Sequence, residues 1–146
     1  MRVCNQFNEC QLAQGLVHKT DLHTIWDVGC ATGGFYRFFR QVFHAVEYRG
    51  FDISEAAIEH ARQRYPEGEF NVFNGDLSGI AQAKPDLIFC RDVVHHQPDP
   101  AEFLAKLYQA AGRYLAWLSE VPTARFVQNL REISVWISSS GFFTGV

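Results

Sequence analysis

At 146 residues, 47% of them apolar and 20% charged, the chain has the make-up of one soluble globular domain, able to bury about two-thirds of its unfolded surface. Its net charge of −3 gives no electrostatic footprint for nucleic acid or an anionic membrane, and no apolar run approaches the ~20 residues of a membrane span. The start, Met1-Arg2-Val3-Cys4-Asn5, does not read as a signal peptide, and Cys4, Cys10, Cys30 and Cys90 lack metal-ligand spacing; free thiols in a reducing cytoplasm and no metal site are therefore expected.

In chain order, Phe7, Leu12, Leu16 and Val17 allow a short amphipathic helix, so 1–20 is expected to be a helical extension of a single domain spanning 1–146. Residues 24–28 (TIWDV) are predicted as a buried strand, followed by a glycine-containing turn and a helix over 35–43. Residues 45–51 form a second strand with Val46, Tyr48 and Phe51 as apolar positions. A helix over 55–65 sets Ala57, Ile58, Ala61 and Tyr65 on its inner face, and Pro66 and Gly68 stop it. A short third strand follows at 70–73, and a fourth runs from Asp86 to Cys90. The helix over 101–111 has Asp99 as N-cap, Pro100 at its first position and Glu102 to complete an acidic capping box. Tyr114 to Leu118 is a fifth strand. A last helix near 123–138 carries Phe126, Leu130, Ile133 and Ile137 on one stripe and ends at Gly141.

This alternation predicts an α/β fold: a Rossmann-like, doubly wound, mostly parallel sheet with helices on both faces. Residues 141–146 read as the start of a sixth strand, so the fold is expected to be truncated there, with its C-terminal strands incomplete. Strand five would then keep an open apolar edge through which a homodimer could pair.

Right-handed crossovers place every strand's C-terminal end on one edge of such a sheet, where ligands bind. The candidate site residues fall at those ends. Asp27-Val28-Gly29-Cys30-Ala31-Thr32-Gly33-Gly34 is a tight turn after the first strand, whose missing side chains let a ligand lie on backbone. Asp52, after the second strand, can accept from both hydroxyls of a ribose; its plainer role is to cap the next helix with Ser54. Asp76, in Asn74-Gly75-Asp76-Leu77, can accept from an exocyclic amine, while Ile53 and Leu77 offer apolar walls for a purine. Alone, that tripeptide would be an ordinary turn.

These residues, with Asp86-Leu87-Ile88-Phe89-Cys90 and the loop Val93-Val94-His95-His96-Gln97-Pro98-Asp99-Pro100, resemble the class I S-adenosylmethionine-dependent methyltransferases, in their small-molecule, type 11/12-like group. The resemblance runs from about residue 20 to the C-terminus. It implies that Asp27 and the turn at 29–33 (Gly29, Cys30, Ala31, Gly33) hold the methionine part of S-adenosylmethionine. Asp52 and Ile53 would take the ribose, Asp76 and Leu77 the adenine, and the backbone near Cys90 and Arg91 the amino-acid end. It further implies methyl transfer to a small-molecule, even lipid-like, acceptor by in-line displacement, with no nucleic-acid partner. The family's middle glycine is Ala31 here. Its methyl is a small intrusion so long as the backbone keeps φ below zero.

A protonated acceptor needs a base, and imidazole suits neutral pH. His95, placed first, and His96 are the candidates, with Asp92 as orienter or second base; their plainer reading is polar cover on a loop. Two other functions fit part of the pattern. An NAD-dependent oxidoreductase would also keep an acid at Asp52, but Ala31 interrupts the Gly-x-Gly-x-x-Gly spacing that Gly29 and Gly34 would bracket, and Asp76 would have no role. A degenerate, non-catalytic cofactor-binding domain is the third reading.

Overall fold

A computed structural model of the chain describes residues 22–118 and 134–138. The elements are β1 (Thr24–Val28), α1 (Tyr36–Val42), β2 (Glu47–Asp52), α2 (Glu55–Arg64), β3 (Glu69–Val72), α3 (Ser78–Ala83), β4 (Leu87–Arg91), α4 (Pro100–Ala110), β5 (Tyr114–Leu118) and β6 (Ser134–Ser138), with a single 3-10 turn at Val94–His96 before α4. The strands form one parallel sheet in the order β3-β2-β1-β4-β5-β6. The doubly wound α/β architecture is therefore the one the alternating pattern predicts.

Alternate strand residues feed two cores. Ile25, Tyr48, Leu87 and Phe89 point to the side where Tyr36, Phe39 and Ile58 of α1 and α2 pack. Trp26, Val28, Ile88, Cys90 and Leu115 point to the other side, against Ile80 of α3 and Leu104 and Leu107 of α4. Two-sided burial explains why these strands read as continuous apolar runs. Helix starts follow local chemistry: Ser54 Oγ accepts from Ala57 N at 3.2 Å, and Asp99 Oδ1 accepts from Glu102 N at 2.9 Å. The Glu102 carboxylate, however, reaches Lys106 Nζ at 2.8 Å, one turn onward, and so does not fold back to complete the capping box.

Three expectations are corrected. Helix α3 was not foreseen, because Ser78-Gly79-Ile80-Ala81-Gln82-Ala83 is under two turns long and carries a glycine, too little for a periodic signal. The C-terminal part of the predicted helix near 123–138 is strand: Ser134-Val135-Trp136-Ile137-Ser138 pairs in parallel with β5. Two β-branched residues around an aromatic favour the extended chain over a helical stripe that only Ile137 continues. Because β6 lies on β5, that edge is not open, and the homodimer expected through it loses its basis. The expected extension at 1–20, the rest of that helix and the strand start at 141–146 lie outside the described residues.

The central ladder is also the shortest. Only Ile25–Leu87, Trp26–Ile88 and Asp27–Phe89 are in register between β1 and β4, whereas β1–β2 and β4–β5 each have five pairs.

Candidate functional site

Beyond the last of those central pairs the strands part, and a cleft of about 360 Å³ opens above them. That volume is within the range of small-ligand sites, and the position is where open α/β sheets bind ligands. The ends of β1 to β4 contribute. Val28 and Gly29 come from β1, Asp52 and Ile53 from β2, and Phe73 and Gly75 from the segment after β3. Asp92, Val93, His96 and Gln97 follow β4, and Phe103 reaches in from α4.

The glycine turn closes by backbone bonds. Gly29 N and Cys30 N both donate to Phe51 O, at 2.7 and 3.0 Å, and Gly33 N donates to Cys30 O at 2.9 Å. Gly29 has φ +86° and Gly33 φ +77°. A Cβ on Gly29 would lie 2.1 Å from Val93 Cγ2, and one on Gly33 2.9 Å from the Phe70 ring, so glycine is needed at both. Ala31 is where the sequence expectation fails. Its φ is +47°, in the left-handed region, which costs a non-glycine residue about 1–2 kcal/mol. The turn imposes that geometry, because Ala31 N donates to Asp52 Oδ2 at 2.9 Å. We expect Ala31→Gly to raise stability by about 0.5–1 kcal/mol, the relieved strain less the added unfolded-state freedom, as read from urea unfolding.

Asp52 therefore ties two elements together: Oδ2 holds the turn, and Oδ1 accepts from Ser54 N at 2.9 Å at the start of α2. Ile53 beside it is 76% exposed, leaving an apolar face at the mouth of the cleft. Asp76 lies outside this cleft, in an adjoining hollow that Gly75 also borders. Ser78 donates to its two oxygens through N and Oγ, both at 2.9 Å, and holds the carboxyl below its ordinary value. Leu77 is buried in the core under that hollow.

Asp27 does not line the cleft. It is 1% exposed beneath the turn, where Oδ2 accepts from Tyr48 Oη at 2.6 Å. Burial raises its carboxyl from 3.8 to about 7, against the opposing pull of the Tyr48 hydrogen bond. Cys30 is buried under the same turn, and burial pushes both its thiol and that of Cys90 well up, so neither is set up as a nucleophile.

After β4, Asp92 takes φ +54°, a second strained residue at the cleft. Arg91 Nε lies 3.2 Å from Asp92 Oδ2, and its guanidinium sits 5.3 Å over the Phe35 ring. Arg91 thus links the loop to Phe35, which caps the helix after the glycine turn, without lining the cleft. His96 lines the cleft; His95 packs against it, ring centroids 4.0 Å apart, and does not. Phe73 and Phe103 were not assigned to the site from sequence. An apolar residue in the first turn of the helix after the loop was the available signal for Phe103. Among the described residues no three His, Cys, Asp or Glu side chains gather as a metal site requires, and no helix is long and apolar enough to cross a membrane.

Comparison with known proteins agrees with this geometry. Trans-aconitate 2-methyltransferase of Variovorax paradoxus (strain S110) is 26% identical over 121 residues, covering 79% of this chain and 47% of that protein. Trans-aconitate 2-methyltransferase of Methylobacterium radiotolerans is 30% identical over 122 residues, covering 79% and 46%. The chain thus spans about half the length of the curated relatives it matches. Two solved structures share the fold. One is the plantazolicin methyltransferase BpumL in complex with a triazolic desmethylPZN analog and SAH (TM-score 0.61, 21% identity, 74% of this chain and 44% of that one). The other is coclaurine N-methyltransferase bound to N-methylheliamine and SAH (TM-score 0.57, 11% identity, 77% and 36%). The methyltransferase domain family itself matches residues 26–113, more than half of the chain, and this protein belongs to it.

Proposed function

We propose that the cleft binds S-adenosylmethionine and that the chain transfers its methyl group to a small-molecule acceptor. The observation that carries this reading is the placement of Asp52. A carboxylate at the end of β2 is fixed by the backbone of the glycine turn, so a ribose acceptor and a bare-backbone surface form one unit on the same cleft. The residues fit the cofactor. Each Asp52 oxygen accepts one N–H and keeps lone-pair capacity for ribose hydroxyls. Gly75, φ +91° with nothing within 4 Å of a would-be Cβ, leaves open the space between the cleft and the Asp76 hollow. Ile53, Leu77 and Asp76 would hold the base, and the turn with the backbone near Cys90 and Arg91 the amino-acid end.

When bound, S-adenosylmethionine supplies a methyl group on a positively charged sulfur that is already an activated leaving group. The chain's part is then mainly to position and dry the reacting partners. Val28, Phe73, Val93 and Phe103 give the cleft apolar walls that exclude water. His96 is the base we assign to a hydroxyl acceptor, with Asp92 beside it on the same wall and His95 behind it. The name shared by the two trans-aconitate 2-methyltransferases supports a small acceptor. Free Cys30 and Cys90 support a reducing cytoplasm, and a net charge of −3 with no Lys or Arg among the described residues lining the cleft speaks against nucleic acid.

Calorimetry with S-adenosylhomocysteine and with NAD tests this directly. We expect binding of the first only; binding of NAD alone would sink the proposal, and binding without turnover on any acceptor would mark a non-catalytic domain. His96→Ala should lower turnover of a hydroxyl acceptor about a hundredfold while leaving cofactor affinity within about threefold. A comparable loss of affinity would make His96 a binding residue instead.

A further inference from the structure

The resemblance places Asp27 at the methionine end of the cofactor, but its buried partner Tyr48 has no role in what is assigned above. Asp27 is opposite Gly50 in the β1–β2 register, and the missing side chain there leaves room for Tyr48, two residues earlier on the same face, to reach across. A Cβ on Gly50 would come within 2.8 Å of Cys30 Sγ and 2.7 Å of the Phe70 ring, so no larger residue fits. Around the Asp27 carboxyl, Tyr48 of β2 bonds to it and Cys30 of the turn packs on the same face, Asp52 adds a like charge from the end of β2, and Cys90 of β4 lies on the opposite face of the sheet. Tyr36 of α1 packs on Tyr48 with ring centroids 5.2 Å apart. All are acids or neutral donors, and the Tyr48 hydroxyl alone favours the ionised carboxyl through a direct bond.

We propose that Tyr48 is a positioning residue for the cofactor: by holding the Asp27 carboxylate beneath the glycine turn, it sets a negative charge under a ligand that carries positive charge. The proposal rests on the cleft being an S-adenosylmethionine site. Desolvation disfavours that charge, the Tyr48 hydrogen bond offsets part of the penalty, and a cation above the turn offsets more. Charge and ligand are then linked. The cation binds the ionised form more tightly, so binding near pH 7 releases a proton from Asp27. A cation that lowers the carboxyl by one unit binds about tenfold more tightly above the transition than below it. In the ligand-free protein the folded state holds this proton more firmly than the unfolded chain does. Stability from this group is therefore full below about pH 4 and lost as pH rises through about 7.

Calorimetry with S-adenosylmethionine between pH 6 and 8, in two buffers of different ionisation enthalpy, reads both the affinity and the proton. The probe for comparison is 5′-methylthioadenosine, which has neither the sulfonium nor the ammonium. We expect affinity for the charged ligand to rise about tenfold with proton release near pH 7, and affinity for the uncharged probe to stay flat. Tyr48→Phe should move the midpoint up by about one pH unit, and Asp27→Asn should abolish both the slope and the proton. Wild-type binding with a flat profile and no proton release would overturn this inference alone. So would a Tyr48→Phe midpoint equal to that of wild type. Absence of any S-adenosylmethionine binding would remove the cleft assignment together with it. Should both variants fail to fold, the wild-type proton count in two buffers still decides.

Discussion

Asp52→Ala is expected to reduce S-adenosylhomocysteine affinity by at least about a hundredfold, the largest loss of any single substitution in the cleft. Two effects combine. The ribose loses a charged acceptor, a contact of the class worth about 1.5–3 kcal/mol. The turn loses the bond that holds Ala31 at φ +47°, so the surface under the ligand is no longer preorganised. Asp52→Asn separates them only in part, because its amide must present one N–H₂ toward Ala31 N or Ser54 N, both of which are donors. Calorimetry gives the affinity, and urea unfolding of the ligand-free variants gives the structural share. If Asp52→Ala binds within threefold of wild type, Asp52 is a helix cap and the ribose lies elsewhere.

Gly29→Ala should be the most damaging change of one carbon atom. The added methyl meets Val93 Cγ2 at 2.1 Å on a backbone at φ +86°, and strain and overlap together should cost about 3 kcal/mol or more of folding stability. Val93 cannot simply withdraw, since it packs against the core formed by Val94, Leu104 and Leu107 while lining the cleft. The contrast with Ala31 is informative. That methyl points to solvent, so its only penalty is conformational and the chain carries it. Chemical denaturation of Gly29→Ala next to Ala31→Gly would show opposite signs. A Gly29→Ala protein as stable as wild type would mean that the turn has more room than its geometry allows.

Much of this fold was legible because its strands are buried on both faces and its helices are bounded by clear chemistry. Asp99-Pro100 fixes the start of α4, and Pro66 and Gly68 bound α2. What stayed hidden has a common cause. Helix α3 is short and contains Gly79, so its structure follows from packing of Ile80 and not from periodicity. At Ser134–Ser138 the helical stripe and the extended pattern share Ile137, and pairing to β5, a long-range contact, decides between them. The site shows the same division. Residue types at strand ends announced Gly29, Asp52 and Asp92 as neighbours. Which side of the chain each faced was set by register: Asp27 turns under the sheet toward Tyr48, and His96 in place of His95 turns into the cleft. A tyrosine two residues before a glycine, opposite an acid on the next strand, was the available sign of the buried pair.

The three-pair ladder between β1 and β4 gives the site a mechanical character. It is the seam joining two half-sheets, β3-β2-β1 and β4-β5-β6, and the cleft begins where its pairing ends. Asp52, Gly29 and Gly75 belong to one half, while Asp92, Val93 and His96 belong to the other. A ligand held from both sides acts as a staple across the shortest ladder among the described strands. Occupancy would therefore be felt as a coupling of the two halves, with local openings along the seam becoming rarer and their cost approaching that of unfolding the whole sheet.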